Sequence, residues 1–128
     1  IRFNLSLPSG LDDSALSRDM NVVRTYRNDP LTHDLISARL AMDMLRYGQW
    51  NLNHAAEFPL PLLLMHGEAD RITSATATAE FAKKVDRSYT LKIWEGFNHE
   101  LHNEPEQQQV FDYVLNWMEQ MSRDTEKR

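Results

Sequence analysis

Residues 61–101 read PLLLMHGEADRITSATATAEFAKKVDRSYTLKIWEGFNHEL, two short apolar runs that each lead into a turn carrying a titratable side chain, Asp70 in one and His99 in the other. Leu62, Leu63, Leu64 and Met65 form an unbroken apolar run bounded by Pro61 and Gly67, which predicts a strand buried on both faces. In the second run, Leu91 and Ile93 alternate with Thr90 and Lys92, and Gly96 turns the chain before His99. That alternation predicts a strand nearer the edge of a sheet. Between the runs, residues 75–85 are rich in alanine and carry Phe81, Ala82 and Val85 at helical spacing. The unit is therefore strand, helix, strand, the building block of an α/β fold with parallel strands and flanking helices. Parallel strands deliver the acid and the imidazole to the same end of the sheet.

An acid and an imidazole are two of the three groups a nucleophilic hydrolase needs. A serine hydroxyl attacks poorly at neutral pH until an imidazole accepts its proton, and a carboxylate fixes the imidazole's tautomer and stabilises the imidazolium. On the α/β-hydrolase scaffold the chain order is Ser, then Asp or Glu, then His, and Asp70 precedes His99 by one helix-plus-strand unit, as that order requires. The nucleophile's own motif, G-x-S-x-G, does not occur, because the glycines are Gly10, Gly48, Gly67 and Gly96. Taken alone, an Asp after a strand is more often a turn former than a catalyst. Its link to His99 gives it weight.

The motifs LLLMHGEADRIT and LKIWEGFNHELHNEPE, followed by a terminal helix with a Trp-containing segment, resemble the C-terminal part of an α/β-hydrolase of the monoacylglycerol lipase and lysophospholipase group. VVRTYRNDPLTHDLISARLAMDML also resembles the helical cap that this group inserts before its last strands. The resemblance implies a C-terminal fragment of an α/β-hydrolase fold: a helical cap segment at 1–58, strand-helix-strand-helix core at 59–122 and a polar tail at 123–128. It implies Asp70 as the triad acid and His99 as the triad base, with His102 outside the family's catalytic position. It further implies cofactor-independent cleavage of carboxylic esters such as monoacylglycerols, lysophospholipids or related acyl esters. The serine and the oxyanion hole would then come from the N-terminal half of the enzyme, which this chain lacks. A non-catalytic binding or assembly module with idle triad remnants is the alternative.

Composition narrows the partners. The 128 residues, 41% hydrophobic and 26% charged, suit one modest domain, whereas a complete doubly wound sheet with a cap needs roughly twice the length. A formal net charge of −5 without clustered Lys or Arg argues against nucleic acid. No apolar run approaches the ~20 residues of a membrane span and no signal peptide opens the sequence, so the expected compartment is the cytoplasm. With no cysteine, disulfides and thiolate metal sites are impossible. His99, His102 and Glu104 lie close together, but their spacing is not H-E-x-x-H and Pro105 interrupts any helix there, so zinc is disfavoured. An apolar strand with one confident neighbour leaves an open edge, so the chain is expected either to belong to a larger one whose other half pairs with that edge or to self-associate through it.

Taken in order, residues 1–7 alternate apolar and polar side chains, consistent with a strand or an extended lead-in to the cap. Asp12, Asp13, Ser14, Ser17 and Asp19 offer helix caps, and a helix is expected over 19–27 until Asn28, Asp29 and Pro30 stop it. Thr32 is expected to cap a second helix containing Leu35, Ile36, Leu40, Met44 and Leu45, ending at Gly48, with a further short helix over 50–57. Met20, Met42 and Met44 are candidates either for lining an acyl pocket or for ordinary packing of the cap. His33, His54 and His66 read as surface or packing residues. Pro105 suits the first turn of a last helix, with Glu104 and Glu106 at its positive end, a buried stripe of Val110, Phe111, Val114, Leu115, Met118 and Met121, and a frayed end from Ser122.

Overall fold

The computed structural model describes residues 5–126, which form β1 (Ser6–Pro8), α1 (Met20–Asn28), β2 (Leu35–Ser37), α2 (Ala38–Asn53), β3 (Leu62–Gly67), α3 (Ala75–Lys84), β4 (Tyr89–Trp94) and α4 (Gln107–Glu126). Single-turn 3-10 helices lie at Asp13–Ala15, Ala55–Glu57 and Leu101–Asn103. The expected strand, helix, strand unit is β3, α3, β4. The two strands pair in parallel with Leu62 opposite Tyr89 and Gly67 opposite Trp94, so both end at the same level. Ser74 caps α3 by accepting from the Ala77 amide at 3.1 Å, and Ala82 and Val85 bury its inner face.

β3 is half-buried rather than enclosed. Its one paired edge faces β4, and no other described strand pairs with it, so the apolar run has fewer neighbours than its composition calls for. In β4 the polar positions Thr90 and Lys92 are only half-exposed. The Trp117 indole of α4 donates to Thr90 Oγ1 at 3.1 Å, and the Lys92 ammonium lies over the Trp94 ring at 5.0 Å. α4 therefore covers that face. The core is Trp94, Phe97 and Val110, joined by Met65, Leu101 and Tyr113. Trp94 stacks on Phe97 at 5.2 Å and meets Tyr113 edge-on at 5.7 Å, pairs that each add about 0.5–1.5 kcal/mol to their area burial.

The N-terminal half departs further from expectation. α1 forms as expected, with Asp19 accepting from the Asn21 amide at 2.8 Å and Val23 fully buried. Leu35 and Ile36, expected in the second helix, instead form β2, which pairs antiparallel with β1. Ser37, not Thr32, caps α2, accepting from the Leu40 amide at 3.1 Å. The Thr32 hydroxyl closes the loop after α1 by donating to the Tyr26 carbonyl at 2.8 Å. Helical spacing at 35–45 does not distinguish these outcomes, because the strand pairing that claims Leu35 and Ile36 comes from residues about thirty positions earlier. α2 also continues through Gly48, a residue costing about 1 kcal/mol in a helix interior, and stops where the His54 ring stacks on Trp50 at 4.1 Å. The expected helix over 50–57 is thus the last turn of α2 followed by a 3-10 turn.

In α4 the predicted stripe divides. Val110, Tyr113, Val114, Trp117 and Met121 turn inward, whereas Phe111, Leu115 and Met118 are exposed at 42%, 57% and 55%. The helix carries two apolar stripes, and the described sheet covers one. Its end does not fray at Ser122: α4 runs to Glu126, with Arg123 paired to Glu119 at 3.0 Å. Of the expected lead-in at 1–7 only the last residues fall in β1, and residues 1–4 and the final two of the tail lie outside the described residues. No described helix is long and apolar enough to cross a membrane.

Candidate active site

β3 ends at Gly67, and the chain turns through Glu68 and Ala69 to Asp70, whose amide donates back to the Gly67 carbonyl at 3.2 Å. The Asp70 side chain is 2% exposed. A buried carboxylate is costly unless its lone pairs are filled, and here they are. Oδ1 accepts from the Ile72 amide at 2.7 Å and the Thr73 amide at 3.0 Å. Oδ2 accepts from the Thr73 hydroxyl at 2.7 Å and faces two imidazoles, His99 Nδ1 at 2.8 Å and His66 Nε2 at 3.0 Å. Burial pushes the Asp70 pKa up, but the hydrogen bonds from His99, Thr73 and Ile72 outweigh it and hold the carboxyl well below the usual carboxylate range. The group is an anion at neutral pH.

His66, expected as a residue that merely ends a strand, is part of this network. Its Nδ1 lies 2.8 Å from Thr78 Oγ1, and its Nε2 lies 3.0 Å from Asp70 Oδ2 and 3.4 Å from Thr73 Oγ1. The four-residue step from His66 to Asp70 was the available signal.

β4 ends at the buried Trp94, Gly96 adopts φ +70° in the left-handed region, and Phe97 and Asn98 lead into His99. The two loops touch backbone to backbone: the Ala69 amide donates to the Phe97 carbonyl at 2.9 Å, and a Cβ on Gly67 would stand 2.1 Å from the Asn98 carbonyl oxygen. Only glycine fits at 67. Beyond it, the His99 and Glu100 amides donate to the Ala15 and Leu16 carbonyls at 3.3 and 2.8 Å.

The His99 side chain is 35% exposed. With Nδ1 turned to Asp70, its proton-accepting nitrogen is Nε2, which makes no hydrogen bond among the described residues. The pair can accept a proton at Nε2 and stabilise the resulting imidazolium. His102 is exposed in its 3-10 turn and away from the network. Glu104, weighed above as a metal ligand and as a helix-end charge, is fully buried against Arg18. Among the described residues no three His, Cys, Asp or Glu side chains converge as metal ligands.

A cleft of about 530 Å³ opens beside the site, with Arg71 and Ile72 from the Asp70 loop and Leu35, Ile36, Leu40 and Met44 from β2 and α2 among its lining. All three methionines expected to line an acyl pocket are exposed, and of them Met44 alone lines this cleft.

Residues 2–106 match the family model described as serine aminopeptidase, S33. The chain is 36% identical over 110 residues to a monoacylglycerol lipase of Mycolicibacterium smegmatis, covering 84% of this chain and 39% of that protein. It is 34% identical over 123 residues to the monoglyceride lipase of Homo sapiens, covering 91% of this chain and 40% of that protein. The crystal structure of Paleococcus ferrophilus monoacylglycerol lipase superposes with a TM-score of 0.86 at 31% identity, over 89% of this chain and 45% of that one. The chain spans less than half the length of these relatives.

Proposed function

The chain belongs to the α/β-hydrolase family described as serine aminopeptidase, S33, and is similar to its monoacylglycerol-lipase-like members; on that premise we propose that it supplies the acid and base of a serine hydrolase cleaving carboxylic esters of the monoacylglycerol or lysophospholipid type. The observation that carries this reading is the 2.8 Å contact between His99 Nδ1 and a buried, fully hydrogen-bonded Asp70. In the reaction, His99 Nε2 takes the proton from a serine hydroxyl as its oxygen attacks the ester carbonyl. The imidazolium then returns that proton to the departing alcohol. The same nitrogen next deprotonates the water that releases the acid. Asp70 stays ionised and keeps Nδ1–H aligned.

The serine lies outside these residues in this reading, because the chain has no G-x-S-x-G. The cleft beside Ile72 is lined by Leu35, Ile36, Leu40 and Met44 together with the charged Asp12 and Arg71, and its aliphatic part suits an acyl chain. Residues 1–58 act as the cap over it, and 59–122 as the core.

The test is monoacylglycerol hydrolysis by the complete protein, with a fluorophosphonate probe reporting its serine. His99→Ala is expected to lower kcat by about 10³–10⁴ or more, and His102→Ala by far less. Turnover that survives His99→Ala and disappears with His102→Ala would remove His99 as the base. Absence of both labelling and hydrolysis would favour the non-catalytic module. The isolated 128-residue chain is expected to hydrolyse p-nitrophenyl esters no faster than free imidazole.

A further inference from the structure

Glu104 is the largest fully buried side chain, 0% exposed, and the proton transfers described above make no use of it. A carboxylate in that position costs several kcal/mol unless paired and fully hydrogen-bonded. Its partners come from two separate segments. Oε1 accepts from the Asn98 amide at 2.8 Å and from the Arg18 amide at 3.3 Å, while Oε2 accepts from Arg18 Nε at 2.6 Å. The other arm of the guanidinium reaches Glu106, and its plane lies 4.7 Å from the centre of the Phe97 ring. Burial works against the charge on Arg18, but the two glutamates outweigh it and hold its pKa above the ordinary value. Beside this pair the buried Ser17 hydroxyl donates to the Asn103 carbonyl at 2.7 Å.

Asn98 immediately precedes His99, and the His99 and Glu100 amides are themselves bonded to Ala15 and Leu16. Apart from the bond from the Asn98 amide to Glu104, each of these contacts joins residues 15–18 to residues 97–106. The backbone on which the imidazole rides is thus pinned by a segment from the other end of the chain, with the pair of a buried Glu104 and a partly exposed Arg18 at its centre.

We propose that Glu104, through Arg18 and the Asn98 amide, is a positioning residue for His99: it sets the height and angle at which the imidazole meets Asp70. This rests on the hydrolase reading for its catalytic consequence, though not for its geometric one. Removing the charge from Glu104 takes away the carboxylate that holds the partly exposed Arg18 guanidinium and loosens the strap, and His99 shifts against a carboxylate whose own position is held independently by Ile72 and Thr73. Displacements of this size, far from the reacting atoms, cost up to about a hundredfold in rate.

The experiment compares Glu104→Gln and Arg18→Lys with wild type in the complete protein. Three readings are taken: the thermal melt, kcat and KM on a monoacylglycerol, and the low-field proton resonance of His99 Nδ1–H, assigned by its loss in Asp70→Asn. The expected result is a cooperative melt, kcat down about ten- to a hundredfold with KM within about twofold, and a weakened or shifted resonance. A lowered melting temperature with kcat and resonance unchanged would make the pair merely structural and overturn the proposal. Should Glu104→Gln not fold, Arg18→Lys, which keeps the charge pair but not the fork, decides by the same readings. If wild type hydrolyses no ester while the resonance still responds to Glu104→Gln, the hydrolase reading fails and the positioning role stands. If wild type hydrolyses ester and neither variant changes kcat or the resonance, the reverse holds.

Discussion

The two loops that bring Asp70 and His99 together are held in opposite ways. Apart from His99 itself, Asp70 is fixed by its own neighbourhood, with donors from Ile72 and Thr73 two and three residues away and the His66 ring 3.0 Å from Oδ2. His99 depends on partners up to 86 positions distant for the hydrogen bonds that flank it, those of Ser17 and Arg18 to Asn103 and Glu104. A short-range network forms as soon as its turn does, because closing so small a loop costs little entropy. A strap between chain ends exists only when the whole fold does. Asp70 is therefore a preformed fixture, and His99 is the member whose placement reports tertiary integrity.

The largest effect that would break this comparison is on the acid itself. Asp70→Asn in the complete protein is expected to lower kcat by about 10³–10⁴, with the His99 loop undisturbed because its anchors lie elsewhere. Hydrogen exchange of the His99 and Glu100 amides checks the second half of that statement. Faster exchange there would mean that Asp70 helps hold the loop.

Gly67→Ala strikes the point where the loops touch. Its Cβ would fall 2.1 Å from the Asn98 carbonyl oxygen and 2.3 Å from that of Phe97, so backbone must move, at a cost of about 1–3 kcal/mol or more. Urea denaturation should report that loss, and kcat should fall with it, because the two loops are forced apart.

Acid titration probes the local network. The folded Asp70 has a depressed pKa, so its stabilisation is fully present above the unfolded value of about 3.9 and is lost as pH falls through the lower folded value. Wild type and Asp70→Asn should accordingly differ most in stability at neutral pH, by an amount on the order of 2–3 kcal/mol, and converge as the pH drops below about 4. A gap that stays constant with pH would deny the ionised carboxylate that role.

Ser17→Ala tests the strap without touching a charge. It leaves the Asn103 carbonyl without its buried donor, which costs about 1–3 kcal/mol, and the loss should appear in the melt together with faster exchange of the His99 amide. The smallest expected effect is that of His66→Gln, because Asp70 keeps its donors from Ile72, Thr73 and His99; kcat should change by less than about tenfold. A loss as deep as that of Asp70→Asn would raise His66 to equal rank with His99.

Much of this was legible in the residues alone because the relevant interactions are short-ranged. The apolar run before Gly67, the alanine-rich helix and the alternation of β4 are local patterns, and they place Asp70 and His99 at one sheet end whatever surrounds them. Asp19 capping α1 is likewise decided within three residues. Where a segment had two local solutions, a distant partner chose: β1 drew Leu35 and Ile36 out of the helical period, and the single sheet face available to α4 decided which of its two apolar stripes was covered.

The sequence by itself thus determined the order strand, helix, strand, the identity of the acid and the imidazole placed at its end, and the absence of a G-x-S-x-G serine from these residues. Only the tertiary structure decided that Glu104 is buried rather than a charge at a helix end, that Arg18 and Ser17 hold the His99 loop, that Gly67 is the contact between the loops, and that His66 shares Asp70. The reason is physical. A strand or a helix is selected by side chains a few residues apart, whereas the cost of burying a charge depends on which groups arrive to satisfy it, and here those groups come from the far end of the chain.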